Sequence, residues 1–275
     1  MAQTPSGFSG TVAARQDCGP VTLVHLVHRE ARKMPSHEHA HAYCTLLIDG
    51  AYREWTLRRE VESRAYSAVI HPAGFSHQDE VGPTGARFFI VEIADALLEP
   101  LPGRKRALEF HEVSLKSVCR MVKLRFASAA QALAPMEAEV AAAEIIADSV
   151  AYSEIIDSRN PAWLRRCIEM IEDEDVSKLR LHLIAAELGL HPVHISRTFR
   201  RRLGCGMVEY FALARLRQAA RAMHAGNSLA DAAAVAGFAD QSHMTRMMKR
   251  FWGFTPSALS LRSKPLENFS PPAIY

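Results

Sequence analysis

The sequence predicts an α+β chain: a small antiparallel β-barrel at the N-terminus, a helical connector, and a C-terminal all-α domain with two helix-turn-helix units joined by a long helix. Three observations carry that expectation. Short β-branched runs broken by Gly, Pro and Asp fill residues 21 to about 93; alanine-rich stretches with few β-branched residues follow; and one pattern of small residues, glycine and arginine occurs twice after residue 180. The expected domains are residues 1–95, 96–160 and 161–265. At 275 residues the chain is long enough for each to bury apolar surface of its own.

The first part reads as strands. VTLVHLVH is β-branched and partly alternating, AYCTLLIDG stops at Asp49-Gly50, YSAVIHPAGF runs into Pro72 and Gly74, and ARFFIVEI follows GPTG. In HEHAHAY the residues His37, His39 and His41 recur at period 2, which on a strand puts all three on one face. From Ala94 to Ser158 the texture turns helical, with PLPGRKR as a linker. Val140, Ala143, Ala147, Val150 and Ala151 stand there at helical spacings, which suits dimerisation or packing within the chain. Asn160-Pro161 then reads as an N-cap with proline at the first helical position, and EDEDV at 172–176 as a solvated helix end.

The third part holds the repeat. Ala185, Ala186 and Gly189 fall 48 residues before Ala233, Ala234 and Gly237, while Arg197 and Gly204 fall 49 before Arg246 and Gly253. Each unit offers a helix with small residues where a second helix must approach, a glycine able to take positive φ, and a new helix start. Pro192 after His191 and Gln241 after Asp240 begin the second helices, and Ser228 with Asp231 resembles a capping box. Between the units, 207–224 fit one helix whose Val208, Phe211, Ala212, Ala219, Ala222 and Met223 share a face. Such a helix sets the spacing of two recognition helices, as contacts with successive major grooves about 34 Å apart require.

Net charge is only +3, so the placement of basic residues matters more than their sum. RTFRRRLG, ARLRQAARAMH and RMMKRFWG gather them between Arg197 and Gly253. No apolar run approaches the ~20 residues of a membrane span, and MAQTPSGFSG lacks the basic-then-apolar start of a secretory signal. The five cysteines show no zinc-type pairing. A cytoplasmic protein without membrane contact is expected.

The C-terminal part resembles the DNA-binding domain of the AraC/XylS family of bacterial regulators, through AAAVAGFADQSHMTRMMKRFWGFTPSAL, IAAELGLHPVHISRTFRRRLG and EYFALARLRQAARAM. Met248 stands where the family commonly has phenylalanine, and Gly206 and Met207 where a proline is frequent. Both departures are small or apolar and leave the fold intact. The resemblance implies double-stranded DNA as partner, RNA polymerase as a further one, a homodimer, and no enzyme activity. The expected base-reading residues are Pro192, Val193, Ser196 and Arg197 in the first unit and Gln241, Ser242, Thr245 and Arg246 in the second. Arg197 suits bidentate contact with guanine, Gln241 with adenine, and Val193 a thymine methyl. Arg200, Arg201, Arg202, Lys249 and Arg250, further along, suit phosphates.

HEHAHAY together with HPAGFSH resembles the cupin barrel that serves as sensor in many such regulators. His37, His39 and His77 match three of its four metal ligands; Tyr43 stands where the glutamate belongs. A small-molecule effector or one divalent transition metal is the expected ligand of this half. The alternative is a metal-dependent cupin enzyme with an accessory helical domain, against which the missing carboxylate and the doubled helix-turn-helix both count.

Overall fold

The computed structural model describes residues 7–57, 59–98, 110–156, 161–173 and 175–262. The PLPGRKR linker and the Asn160 cap lie outside the described residues. The N-terminal half is one antiparallel sheet built from β1 (Thr11–Cys18), β2 (Val21–His28), β3 (Arg32–His37), β4 (Ala42–Trp55), β5 (Glu60–Ser63), β6 (Ala68–His71), β7 (His77–Ile93) and β8 (His111–Glu112), in the order β1-β2-β7-β4-β6-β8, with β3 on β7 and β5 on β4. The long strands β4 and β7 belong to both halves of the sheet. Residues 42–47 pair with 88–93 beside β2 and β6, whereas 52–55 pair with 78–81 beside β3 and β5.

Asp49-Gly50 does not end a strand as the sequence suggested. β4 runs through it as a pair of bulges opposite Gly85 and Ala86, and GPTG likewise lies inside β7. Gly50 has φ +93, and a Cβ there would collide with the Gly85 carbonyl, so the two backbones touch where the sheet bends. His41 departs from expectation too. The chain leaves extended conformation after His37, the His39 carbonyl accepts from Gly74 N–H at 2.8 Å, and His41 is exposed while His39 is buried.

Both faces of the sheet are covered, which is why its strands read as nearly continuous apolar runs. Val24, Leu26, Leu47, Phe88 and Ile90 fill its interior. Their strand neighbours Leu23, Leu46, Ile48, Phe89 and Val91 share a second core with the helices. Those helices are α1 (Asp95–Leu98), α2 (Leu115–Ala129), α3 (Pro135–Ile156), α4 (Ala162–Asp173), α5 (Leu181–Leu188), α6 (Pro192–Leu203), α7 (Met207–His224), α8 (Leu229–Val235), α9 (Gln241–Trp252) and α10 (Pro256–Arg262). Helix α3 turns Ala138, Ala142, Ile145, Ile146, Tyr152 and Ile155 inward. The stripe of Val140, Ala143, Ala147 and Ala151 stays exposed, together with Met136. Among the described residues no helix is long and apolar enough to cross a membrane.

Candidate functional site

Two helix pairs carry the repeated pattern. Helix α5 ends on Gly189 at φ +63, and α6 begins after His191, whose ring accepts from Val193 N–H at 3.3 Å. In the second unit α8 starts from Ser228, whose hydroxyl accepts from Asp231 N–H at 3.2 Å, and the turn bends at Gly237, φ +73. Helix α9 is capped by Asp240, which accepts from His243 N–H at 2.6 Å. Both turns need the left-handed region, where a side chain costs about 1–2 kcal/mol; local chemistry alone thus sets two equivalent corners.

Each second helix buries the same side. Ile195 and Phe199 in α6, and Met244, Met248 and Trp252 in α9, are fully buried. The opposite faces carry the expected reading residues: Val193, Arg197, Gln241, Ser242 and Arg246 are exposed, and Pro192, Ser196 and Thr245 half-buried. The Thr245 hydroxyl donates to the Gln241 carbonyl at 2.8 Å within its own helix. Arg200, Arg201, Arg202, Lys249 and Arg250 are all exposed. Among the described residues, none of these seven basic side chains stands in an ion pair with a carboxylate. Elsewhere arginines are paired, as Arg120 is with Glu144 and Asp148. Two exposed basic faces with no internal counter-charge are what a polyanion requires.

Helix α7 packs against α6, α8 and α9 and also against α2. It is therefore buried on more sides than one amphipathic face provides: Tyr210, Leu213, Leu216 and Ala220 are inside, whereas Val208, expected on the packed face, is 85% exposed. Glu172 is no solvated helix end either. It accepts from the Tyr210 and Tyr152 hydroxyls, and its backbone carbonyl takes Arg217 at 2.7 Å. The C-terminal turn of α7 meets the sheet. Arg221 donates to the Ala65 carbonyl at 2.6 Å, Tyr66 and His224 share a hydrogen bond at 2.8 Å, and Trp252 stacks on Tyr66 with ring centroids 5.9 Å apart. Trp252 Nε1 donates to Cys119 Sγ at 3.1 Å. Burial holds the His224 ring down at about 4, against the opposing pull of Asp49.

Inside the barrel His37, His39 and His77 come together, each offering a ring nitrogen within 4.8 Å of the others. The Nδ1 atoms of His37 and His77 face the Pro35 and Phe75 carbonyls at 2.9 and 3.0 Å. A carbonyl only accepts, so both nitrogens carry the proton and Nε2 is turned inward with its lone pair. Tyr43 does not replace the missing glutamate as a charge; its hydroxyl lies 3.1 Å from His77 Nε2, and burial keeps it protonated.

Two carboxylates that the sequence did not single out point into the same interior. Glu54 lies 2.9 Å from His71 Nε2, and Asp79 Oδ2 lies 3.6 and 3.8 Å from the Nε2 atoms of His37 and His77. Burial pushes Glu54 up to about 7 and Asp79 to about 6, and drives His71 down to about 3. Glu54, His71 and His77 form a second group of potential ligands within 4.8 Å. Beside the histidines a cavity of about 40 Å³ is lined by Phe8, His37, His39, Tyr43, Tyr52 and Asp79. Phe8 lines one side of it, stacked on His39 at 4.4 Å.

Residues 184–262 match the family described as a helix-turn-helix domain. Among solved structures the chain is similar to ToxT from Vibrio cholerae, at 11% identity over 89% of this chain and 97% of that one, TM-score 0.38. It is also similar to the AraC-like transcriptional activator CuxR, at 16% over 74% and 79%, TM-score 0.40. The third likeness is to a cupin-2 domain containing protein from Shewanella frigidimarina, at 16% over 31% and 80%, TM-score 0.26. No curated protein matches.

Proposed function

We propose, on the premise that residues 184–262 are a helix-turn-helix domain of AraC type, that this chain is a sequence-specific transcription regulator working on double-stranded DNA in the cytoplasm. The observation that carries the reading is the pair of capped helices α6 and α9. Each turns Arg197 or Arg246 to solvent, with further basic residues one turn on and, among the described residues, no carboxylate paired with them. Pro192, Val193, Ser196, Arg197, Gln241, Ser242, Thr245 and Arg246 read base edges; Arg200, Arg201, Arg202, Lys249 and Arg250 hold phosphates. A homodimer is supported by the exposed stripe Met136, Val140, Ala143, Ala147 and Ala151 on α3, and RNA polymerase is a further partner if the regulator activates.

The barrel is the sensing half. The cavity of about 40 Å³ beside the histidines has room for an ion with a water or two, and a neighbouring one of about 860 Å³, lined by His28, Arg32, Met34 and His37, has room for an organic effector. A ligand there biases DNA binding only if it prefers one arrangement of the junction at Tyr66, Arg221, His224 and Trp252. The test is selection of bound duplexes from a random pool by the full chain. The expected result is one enriched sequence with two elements about one helical turn apart. Recovery of the pool unchanged refutes the reading.

A further inference from the structure

We propose that the barrel interior binds one divalent transition-metal cation through Glu54, His71 and His77, the carboxylate that the histidine motif lacks being supplied from the far end of β4. This rests on the reading of the barrel as the sensing half and names the ligand it takes. The sequence pairs His37 and His39 with His77, but the structure gives His77 a second set of companions. Glu54 stands on β4 directly across from Asp79 of β7, and His71 ends β6 opposite Tyr43, so three different strands deliver the donors to one point.

Four observations favour this set. Glu54, His71 and His77 are 0%, 1% and 2% exposed, whereas the His37 side chain is 29% exposed; a cation held by the former is shielded from water and competing ions. The set contains a carboxyl directly, and Asp79 lies 3.8 Å from His77 Nε2, so two buried carboxyl groups can give up their protons to face the charge of a divalent ion. His71 Nε2 is already aimed at the Glu54 carboxyl at 2.9 Å, in a ring fixed by Tyr43 stacked at 4.2 Å, so two of the three donors face each other before an ion enters. Finally, His77 has a single inward lone pair, because its Nδ1 proton is committed to the Phe75 carbonyl; an ion there displaces the Tyr43 hydroxyl that lies 3.1 Å away, and the two histidine sets compete for it.

The geometry requires modest movement. The His71 Nε2 to Glu54 separations of 2.9 and 3.1 Å are those of a shared proton. Replacing that proton by a cation with bonds of ~2.0–2.1 Å at tetrahedral angles opens them to ~3.3 Å. His77 closes in from within 4.8 Å by side-chain rotation, and water completes the shell. Phe75 and Phe110, stacked at 5.0 Å, lie against His71 and keep that side dry. A two-imidazole, one-carboxylate set selects zinc, iron(II) or cobalt(II) over magnesium and calcium, which take oxygen shells.

The experiment uses the full chain stripped with chelator, with cobalt(II) as spectroscopic probe and zinc(II) as competitor, followed by visible absorption and metal analysis after dialysis. The wild type is expected to bind one equivalent; Glu54→Gln and His71→Gln are expected to weaken it at least about tenfold, and His37→Gln to leave it within about twofold. X-ray absorption of the wild-type zinc complex, which needs no variant to fold, is expected to show two imidazoles with oxygen ligands. No binding by the wild type, three imidazoles in the absorption spectrum, or loss in His37→Gln with retention in Glu54→Gln overturns the proposal. DNA selection with the same preparation is read separately: specific DNA binding by a chain that takes up no metal sinks this inference alone, and metal uptake by a chain with no specific DNA binding sinks the regulator reading alone.

Discussion

Substituting the two turn glycines tests whether the repeated units are structurally equivalent but differently embedded. Gly189 has φ +63 and nothing within 4 Å of an added methyl, whereas at Gly237, φ +73, a Cβ would lie 2.6 Å from Ser177 Cα. Gly189→Ala therefore meets only the left-handed penalty, about 1–2 kcal/mol. Gly237→Ala meets the same penalty and a contact roughly 1 Å inside the ~3.5–4.0 Å optimum between carbons. The obstacle is backbone, which cannot rotate away, so a further ~1–3 kcal/mol of overpacking strain applies. The total for Gly237→Ala is about 2–5 kcal/mol. Urea unfolding of both variants beside the wild type, followed by tryptophan fluorescence, reads the difference; Trp252 is buried in the unit that Gly237 closes. Equal losses at the two positions, or a larger loss at Gly189, would refute the argument that the second turn is pinned against the segment around Ser177.

Two further outcomes follow from the same contacts. His224, held at about 4 by burial among Tyr66, Asp49, Arg87 and Arg125, is neutral when folded, while the unfolded ring takes up its proton near 6.5. Stability is then fully present above pH 6.5 and is lost as pH falls toward 4, by up to about 3 kcal/mol at 1.36 kcal/mol per pH unit; a His224→Gln variant whose melting shows the same acid slope as wild type would contradict this. Asp240→Ala removes the cap of α9 and leaves His243 N–H without its 2.6 Å partner. The expected loss is about 1 kcal/mol of stability together with weaker specific DNA binding, measured by thermal melting and fluorescence anisotropy; unchanged specificity would separate the cap from the reading face.

The C-terminal units were legible because everything that defines them is local. Glycine at the turn, Ser228 and Asp240 as caps, and the alternation of Ile195 and Phe199 with Arg197 all act within a few residues, and repetition doubles the signal. The barrel was legible only as strands. Whether Asp49-Gly50 turns the chain or bulges it depends on Gly85 and Ala86, more than thirty residues on. Glu54 was missed for that reason: its inward direction is set by register with Asp79 beyond the bulges, and nothing in YREW marks it. His71 stands in the HPAGFSH motif itself, ending a four-residue apolar strand just before the proline turn that presents His77, but nothing local pairs it with Glu54. His41 misled through period-2 spacing, which holds only while a strand continues. The exposure of Val208 and the inward pairing of Glu172 both trace to α7 packing on more neighbours than a helix wheel contains.

The most direct test of the central claim is the affinity of the full chain for its selected duplex and for a scrambled one across a salt series, for wild type and for Arg197→Ala combined with Arg246→Ala. Each bidentate arginine contact discriminates by about 1–3 kcal/mol, so the double substitution is expected to erase roughly 30-fold or more of the preference. The salt-dependent background held by Arg200, Arg201, Arg202, Lys249 and Arg250 is expected to persist. Preference that survives the double substitution, or a wild type with no salt-dependent binding at all, would contradict the account.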